Sequence, residues 1–240
     1  MSSLPYPNIS IVTPIYDRNN FKHLIISNLL QLDYDLSKIE FIMDDDSPID
    51  RQFISSKEDF KEFQNIIKPI KFVYKWYPKK RSIGEKRNNL CKLATNKIIG
   101  NMDSDDIMIP TWLKHSIDTM RSKNYKLVGT NQMIFTFPAE DYKCTAIQCG
   151  EKRMIHEAGM VFKKQHWKAT GGFLRNSQGE GTSLIDNMNP KTVGLTQAEK
   201  VIVCICHRGN TVCKNRFFDS QQVKDFLVTP YHKAMISRCV

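Results

Sequence analysis

No CxxC pair occurs in this chain, and its cysteines are an odd set of seven (Cys91, Cys144, Cys149, Cys204, Cys206, Cys213 and Cys239) without framework spacing. That excludes a zinc knuckle and a thioredoxin-type motif, and leaves buried free thiols as the default. No apolar run approaches the ~20 residues that cross a bilayer. The opening MSSLPYPN lacks a charged region leading into an apolar stretch, so no secretory signal is expected and the sequence points to a reducing cytoplasm. Internal repeats and low-complexity segments are also missing. No Gly-rich phosphate loop of the G-x-G-T or Walker type lies near the first apolar segment. Nor does any recognition-helix, zinc-finger or RNP-like motif occur.

What is present suits a folded domain. The chain has 240 residues, 41% of them hydrophobic and 10% aromatic, enough for one large core and too apolar for disorder. A single domain over 1–240 is expected, with a nucleotide-binding half to about 125, an acceptor and catalytic half to about 218, and a tail over 219–240. The net charge of +10 favours an anionic partner. Most of that charge reads as solvated surface, but Lys79, Lys80, Arg81, Lys86 and Arg87 are concentrated just ahead of an acidic cluster.

Strand-like runs alternate with helical ones over the first 120 or so residues. Ile9–Pro14, Ile39–Met43, Ile70–Tyr74 and Lys97–Met102 read as strands; Phe21–Leu32, Ser56–Asn65, Gly84–Ala94 and the segment from Pro110 to Met120 read as helices. Such alternation implies right-handed crossovers and a mostly parallel sheet flanked by helices. From Leu127 onward the pattern is mixed. Strands are expected at Leu127–Thr130, Met133–Phe137, Met160–Phe162 and Val201–Cys206, with a turn at Thr170–Phe173.

Ligands of a parallel sheet bind beyond the carboxyl ends of its strands. Two strands end in carboxylates there, at Asp44-Asp45-Asp46 and at Asp103-Ser104-Asp105-Asp106. Six aspartates at one edge repel unless positive charge lies among them, and hard oxygens suit Mg²⁺ or Mn²⁺ bridging to phosphates. The alternative is helix capping, which Asp46 and Asp106 suit. Arg81 to Asn88 spans a helix start, where backbone N–H groups favour anions; Arg87 offers a fork for a phosphate or, alternatively, for an aspartate.

These residues resemble, in order, the inverting GT-A glycosyltransferases of glycosyltransferase family 2. Ile9 to Asp17, with Thr13, Pro14, Tyr16 and Asp17, resembles the opening strand and uracil-facing loop. Asp44-Asp45-Asp46-Ser47 resembles the Asp-Asp-x-Ser element, which implies that Asp45 reads the base. Gly84-Glu85-Lys86-Arg87-Asn88 resembles the helix start ahead of the metal motif, so Arg81, Gly84 and Arg87 join the donor site. Asp103-Ser104-Asp105 resembles the Asp-x-Asp motif, implying a divalent cation on Asp105 and Asp103 and, most often, a UDP-sugar donor. Further on, Gly171-Gly172-Phe173 resembles the turn before the catalytic acid pair, Glu-Asp in the family. Here it reads Gly179-Glu180-Gly181, so Glu180 is the candidate general base and Asp186 the reserve. His207 follows the last strand where some GT-A enzymes supply a third metal or diphosphate contact. His156 stands behind it, and the other four histidines are assigned no role.

The expected reaction is metal-dependent transfer of a sugar from a nucleotide-sugar to a hydroxyl, with inversion. Three rivals remain: a two-metal nucleotidyltransferase, a non-catalytic scaffold that binds nucleotide-sugars, and weak electrostatic nucleic-acid binding. The acceptor side is expected in Phe137–Ile155 and Phe173–Gln197, with Met154, Trp167 and Phe173 weighed as sugar contacts against core packing. The tail, with Phe226, Leu227 and Tyr231, is expected to pack as a helix or to serve an oligomer contact.

Overall fold

The structure, a computed structural model, describes residues 4–150, 154–187, 189–211, 214–223 and 227–240; Cys213 and Phe226 lie outside them. The first half follows the expected alternation: β1 (Ile9–Ile15), α1 (Lys22–Leu30), β2 (Ile39–Asp45), α2 (Lys57–Ile66), β3 (Lys71–Trp76), α3 (Ile83–Leu93), β4 (Ile98–Asn101), β5 (Asp106–Met108) and α4 (Trp112–Ser122). The second half carries β6 (Leu127–Gly129), β7 (Gln132–Phe137), β8 (Lys143–Gln148), β9 (Val161–Lys163), α5 (Lys164–Ala169), α6 (Ser183–Asp186), β10 (Val193–Leu195), β11 (Ile202–Ile205), β12 (Gln221–Gln222) and α7 (Pro230–Ile236).

Seven strands form the main sheet in the order β10-β6-β9-β4-β1-β2-β3. β1, β2, β3 and β4 are mutually parallel, and β9 alone runs against its neighbours β4 and β6. Period-2 alternation sorts β1 onto two cores. Ile9, Ile11 and Ile15 pack with Leu29, Phe63, Trp112 and Leu113, under α1, α2 and α4. Val12 packs on the other face with Leu90 and Cys91 of α3 and Trp167 of α5. A strand covered on both faces needs an apolar run rather than a polar–apolar alternation, which is what Ile9–Val12 supplies. The chain order places β2 and β3 on one side of β1 and β4 on the other. The β1–β4 boundary is therefore a switch point, where a crevice opens at the carboxyl ends.

A second sheet, β12-β8-β7-β11-β5, packs beyond β4. β8 lies in a stretch the sequence pattern does not separate from loop, and β5 begins inside the second aspartate cluster at Asp106. In the tail, α7 has a Thr229–His232 capping box and buries Ile236 against the core that holds Leu24 of α1. The six described cysteines are free thiols. Among the described residues no helix is long and apolar enough to cross a membrane.

Candidate active site

Four strand ends build the site. Beyond β1, Asp17 takes a left-handed conformation at φ 55°, tolerable for aspartate, and its N–H donates to Ser47 Oγ at 2.7 Å. That turn sends Arg18 across to the end of β4, where its guanidinium lies 3.3 Å from Asp105 Oδ2 and 2.8 Å from the Gly209 carbonyl. β11 pairs antiparallel with β5, Cys204 opposite Asp106. His207, two residues past β11, consequently reaches Asp105, with Nε2 3.0 Å from Oδ2.

A cleft of about 450 Å³ opens there, lined by Pro14, Tyr16, Asp17, Arg81, Asp103, Ser104 and Asp105 from the sequence-expected set. Arg18, Lys80, Lys86, Ser177, Gly209 and Thr211 complete much of its wall. Lys80 Nζ stands 3.7 Å from the Tyr16 ring centroid, in cation–π contact. A larger cavity of about 1060 Å³ adjoins it, sharing Asp17, Arg18 and Gly209, and is lined further by His207, Pro138, Ala139 and Tyr142.

Several expected donor residues are placed behind this wall instead. Asp45 is buried, and both its oxygens are taken: Oδ1 accepts from Ser47 N–H and Oγ, Oδ2 from Phe53 N–H at 2.8 Å and Tyr74 O–H at 2.6 Å. Its carboxylate serves the fold and has no face toward the cleft. Thr13 is likewise buried within β1.

The start of α3 is closed as well. Ser82 and Glu85 form a capping box, Ile83 N–H donates to Ser177 Oγ, and Gly84 N–H donates to the Asn176 carbonyl at 2.9 Å. No N–H of the first turn is left for an anion. Gly84 is glycine because a Cβ would lie 1.7 Å from the Leu174 carbonyl oxygen, so it admits the 174–177 loop rather than a phosphate. Ser177 of that loop is what reaches the cleft.

The basic stretch is spent on the protein's own aspartates. Arg81 pairs with Asp44, which Asn89 also holds. Lys86 pairs with Asp46 at 2.7 Å. Burial pulls the Lys86 ammonium down from its usual range, with the three aspartates of the first cluster opposing. Arg87 is 2% exposed and bridges Asp103 at 2.8 Å to Glu180 at 3.0 Å. Burial alone would lower it, but those two carboxylates outweigh burial and keep it firmly protonated. Asp106 accepts from Ile205 N–H and lies 3.7 Å from Lys214, whose partnership the sequence pattern does not reveal. Neither Asp46 nor Asp106 caps a helix.

What remains open is the second cluster. The Asp105 side chain is 15% exposed and the Asp103 side chain 28%. Burial would raise Asp105, but the His207 hydrogen bond, Arg18 and Lys214 outweigh it and hold the carboxyl at about 2. Arg18 and His207 both approach its Oδ2, and Arg87 occupies Oδ1 of Asp103. Asp105 Oδ1 and Asp103 Oδ2 carry no hydrogen bond among the described residues. Two hard oxygens at a cleft mouth fit Mg²⁺ or Mn²⁺, provided a ligand's phosphates complete the shell. Among the described residues no cluster of three or more His, Cys, Asp or Glu could hold a metal alone.

His207 fits the ion less directly. Its Nδ1 accepts from Gly209 N–H at 3.1 Å, which assigns the ring proton to Nε2, facing Asp105. A metal-ligating histidine instead donates from its second nitrogen. In this arrangement His207 orients Asp105.

Glu180 is 4% exposed, and burial raises its carboxyl while Arg87 opposes and Glu157 adds to the rise. It lines neither cavity, and Asp186 is exposed at the end of α6, away from the cleft. Trp167 and Phe173 pack in the core, Trp167 Nε1 donating to Asn88, whereas Met154 is 59% exposed.

Two solved structures share this architecture, the GT-A fold. A mannosyltransferase from Pyrobaculum calidifontis, in complex with GDP-mannose and Mn²⁺, superposes with a TM-score of 0.63 at 14% identity, over 85% of this chain and 58% of that one. Staphylococcus aureus TarS, residues 1–349 with UDP-GlcNAc, matches at 0.63 and 12% identity, over 85% and 60%. The chain thus spans about three-fifths of the length of either. No curated protein matches the sequence. The model of glycosyl transferase family 2 matches residues 10–175, and the chain belongs to that family.

Proposed function

We propose that the protein transfers a sugar from a nucleotide-sugar donor, a UDP-sugar, to a hydroxyl acceptor with inversion at the anomeric carbon. The observation that carries this is the pair Asp103 and Asp105, each with a carboxylate oxygen open toward a cleft at the β1–β4 switch point. Family membership and neighbours whose structures contain GDP-mannose or UDP-GlcNAc support it.

Asp105 and Asp103 would hold a divalent cation, Mn²⁺ or Mg²⁺, together with the donor diphosphate; His207 and Arg18 fix the Asp105 carboxylate. When bound, such an ion supplies Lewis-acid stabilisation of the leaving diphosphate. Tyr16, Pro14 and Asp17 form the wall beside it for the nucleoside, and Lys80 adds positive charge over the Tyr16 ring. Arg87 pairs with Asp103 and ties it to the Glu180 loop.

The test is nucleoside diphosphate release from a panel of UDP- and GDP-sugars, with and without Mn²⁺. Metal-dependent release from one donor is expected, falling by ~10³-fold in Asp105→Ala, a loss of several kcal/mol of charge stabilisation. Full activity in Asp105→Ala would remove the basis of the proposal. Release of pyrophosphate in place of nucleoside diphosphate would establish a nucleotidyltransferase.

A further inference from the structure

Position 181 is where the family resemblance calls for the second acid of a Glu-Asp pair, and this chain has glycine. Gly181 is not in the left-handed region, so its backbone does not require glycine. What excludes a side chain is Glu157. A Cβ at residue 181 would lie 2.7 Å from Glu157 Cγ, 3.3 Å from Cδ and 3.2 Å from Oε1. The Glu157 side chain therefore occupies the volume an aspartate at 181 would fill, and Gly181 N–H anchors it by donating to Oε1 at 3.1 Å.

The backbone of Glu157 is fixed at the same strand end as the aspartate pair. Asn101, the last residue of β4, donates from Nδ2 to the Glu157 carbonyl at 3.1 Å, and its own carbonyl accepts from Gly159 N–H at 2.9 Å. Asp103 follows two residues on. The neighbouring Glu180 is committed to Arg87, so protonating it would leave a buried guanidinium short of a partner. Among the described residues Glu157 has no cationic partner and no hydrogen bond at Oε2; like Glu180 it lines neither cavity, but it is half-buried where Glu180 is enclosed.

Building on the glycosyl-transfer reading above, we propose that Glu157 is the general base of the reaction, a carboxylate delivered from the segment before β9 into the place left by Gly181. Oε2 takes the proton of the acceptor hydroxyl as its oxygen forms the bond to the anomeric carbon. The bond from that carbon to the phosphate oxygen breaks, and its electron pair leaves with the nucleoside diphosphate. Glu180 is a positioning residue, holding the loop through Arg87.

The experiment uses the full chain and the donor that the panel identifies, with water as the acceptor, and reads kcat and donor KM. Glu157→Gln keeps the shape and the Gly181 contact. It is expected to lower kcat by ~10²–10⁴-fold, the usual worth of a general base, with donor KM within threefold. In the double variant Glu157→Ala/Gly181→Asp the carboxylate returns from the other side of the same space. That variant is expected to recover at least ~10-fold over Glu157→Ala, with the thermal midpoints of all three confirming folding. A Glu157→Gln protein within threefold of wild-type kcat overturns the assignment of Glu157 and leaves glycosyl transfer standing. So does a folded double variant with no recovery. Wild-type protein that releases nucleoside diphosphate from no donor overturns the glycosyl-transfer reading, and the base with it.

Discussion

The two aspartate clusters, read from the sequence as equivalent strand-end motifs, differ in what surrounds them. At Asp44–Asp46 every carboxylate is 0–3% exposed and matched to internal donors: Arg81 and Asn89, the Ser47–Phe53–Tyr74 set, and Lys86. At Asp103–Asp106 only Asp106 is so enclosed; Asp103 and Asp105 line the cleft, each with one oxygen free of hydrogen bonds among the described residues. The repulsion expected among six aspartates is relieved mainly by the protein's own cations. The clusters divide the work, one spent on cementing the sheet edge and the other leaving two carboxylates at the cleft wall.

The sharpest way to break that division is to remove Asp46. Asp46→Ala strands a buried Lys86 ammonium and is expected to cost ~3–5 kcal/mol in urea unfolding, whereas Asp46→Leu with Lys86→Met, removing both charges, recovers most of it. A cost under ~1 kcal/mol for Asp46→Ala would erase the contrast. Asp105→Ala is the converse case: activity falls as stated above, but the stability cost is expected to be smaller than that of Asp46→Ala, because Arg18, one of its two partners, is 18% exposed and can rehydrate. His207→Ala should raise the Mn²⁺ concentration for half-maximal release by ~10–100-fold, the range for a residue that orients a ligand. A loss of all metal response would make His207 a ligand itself.

The smallest effect lies at the opposite end of β2. Burial raises Glu40, but Thr95 N–H, Ser10, Lys71 and the Thr95 hydroxyl outweigh burial and leave its carboxyl below the ordinary 4.5. Its stabilisation is complete above that ordinary value and is lost as pH falls through the folded one. Glu40→Gln should therefore flatten the acid limb of the stability profile and leave the slope of stability with pH near neutrality unchanged, as urea unfolding across pH would show.

How much of this was legible follows from sequence distance. The parallel half was readable because each buried strand is a local apolar run and each helix a local periodic one, as in Ile9–Ile15 and Ile83–Leu93. β8, with Lys143 and Gln148 at its ends, and the three-residue β5 have no such local signature, since their partners in the second sheet supply the burial. Asp103 and Asp105 were legible as a motif. Their partners were less so: Arg18 and His207 converge on Asp105 from 87 and 102 residues away. Lys214 approaches from outside any motif. Asp45, Gly84 and Glu180 show the limit from the other side, since motif order alone cannot separate a residue facing ligand from one that supports its neighbour.

Arg87, the buried bridge between Asp103 and Glu180, makes the cleft wall and the loop behind it share one counter-ion. A cation that draws Asp103 to itself leaves the guanidinium more fully to Glu180 and favours that carboxylate's ionised form. Linkage runs equally in reverse: an ionised Glu180 competes for Arg87, releases Asp103 and so tightens cation binding. Cation occupancy at Asp103 and charge on Glu180 would then be two readings of a single equilibrium.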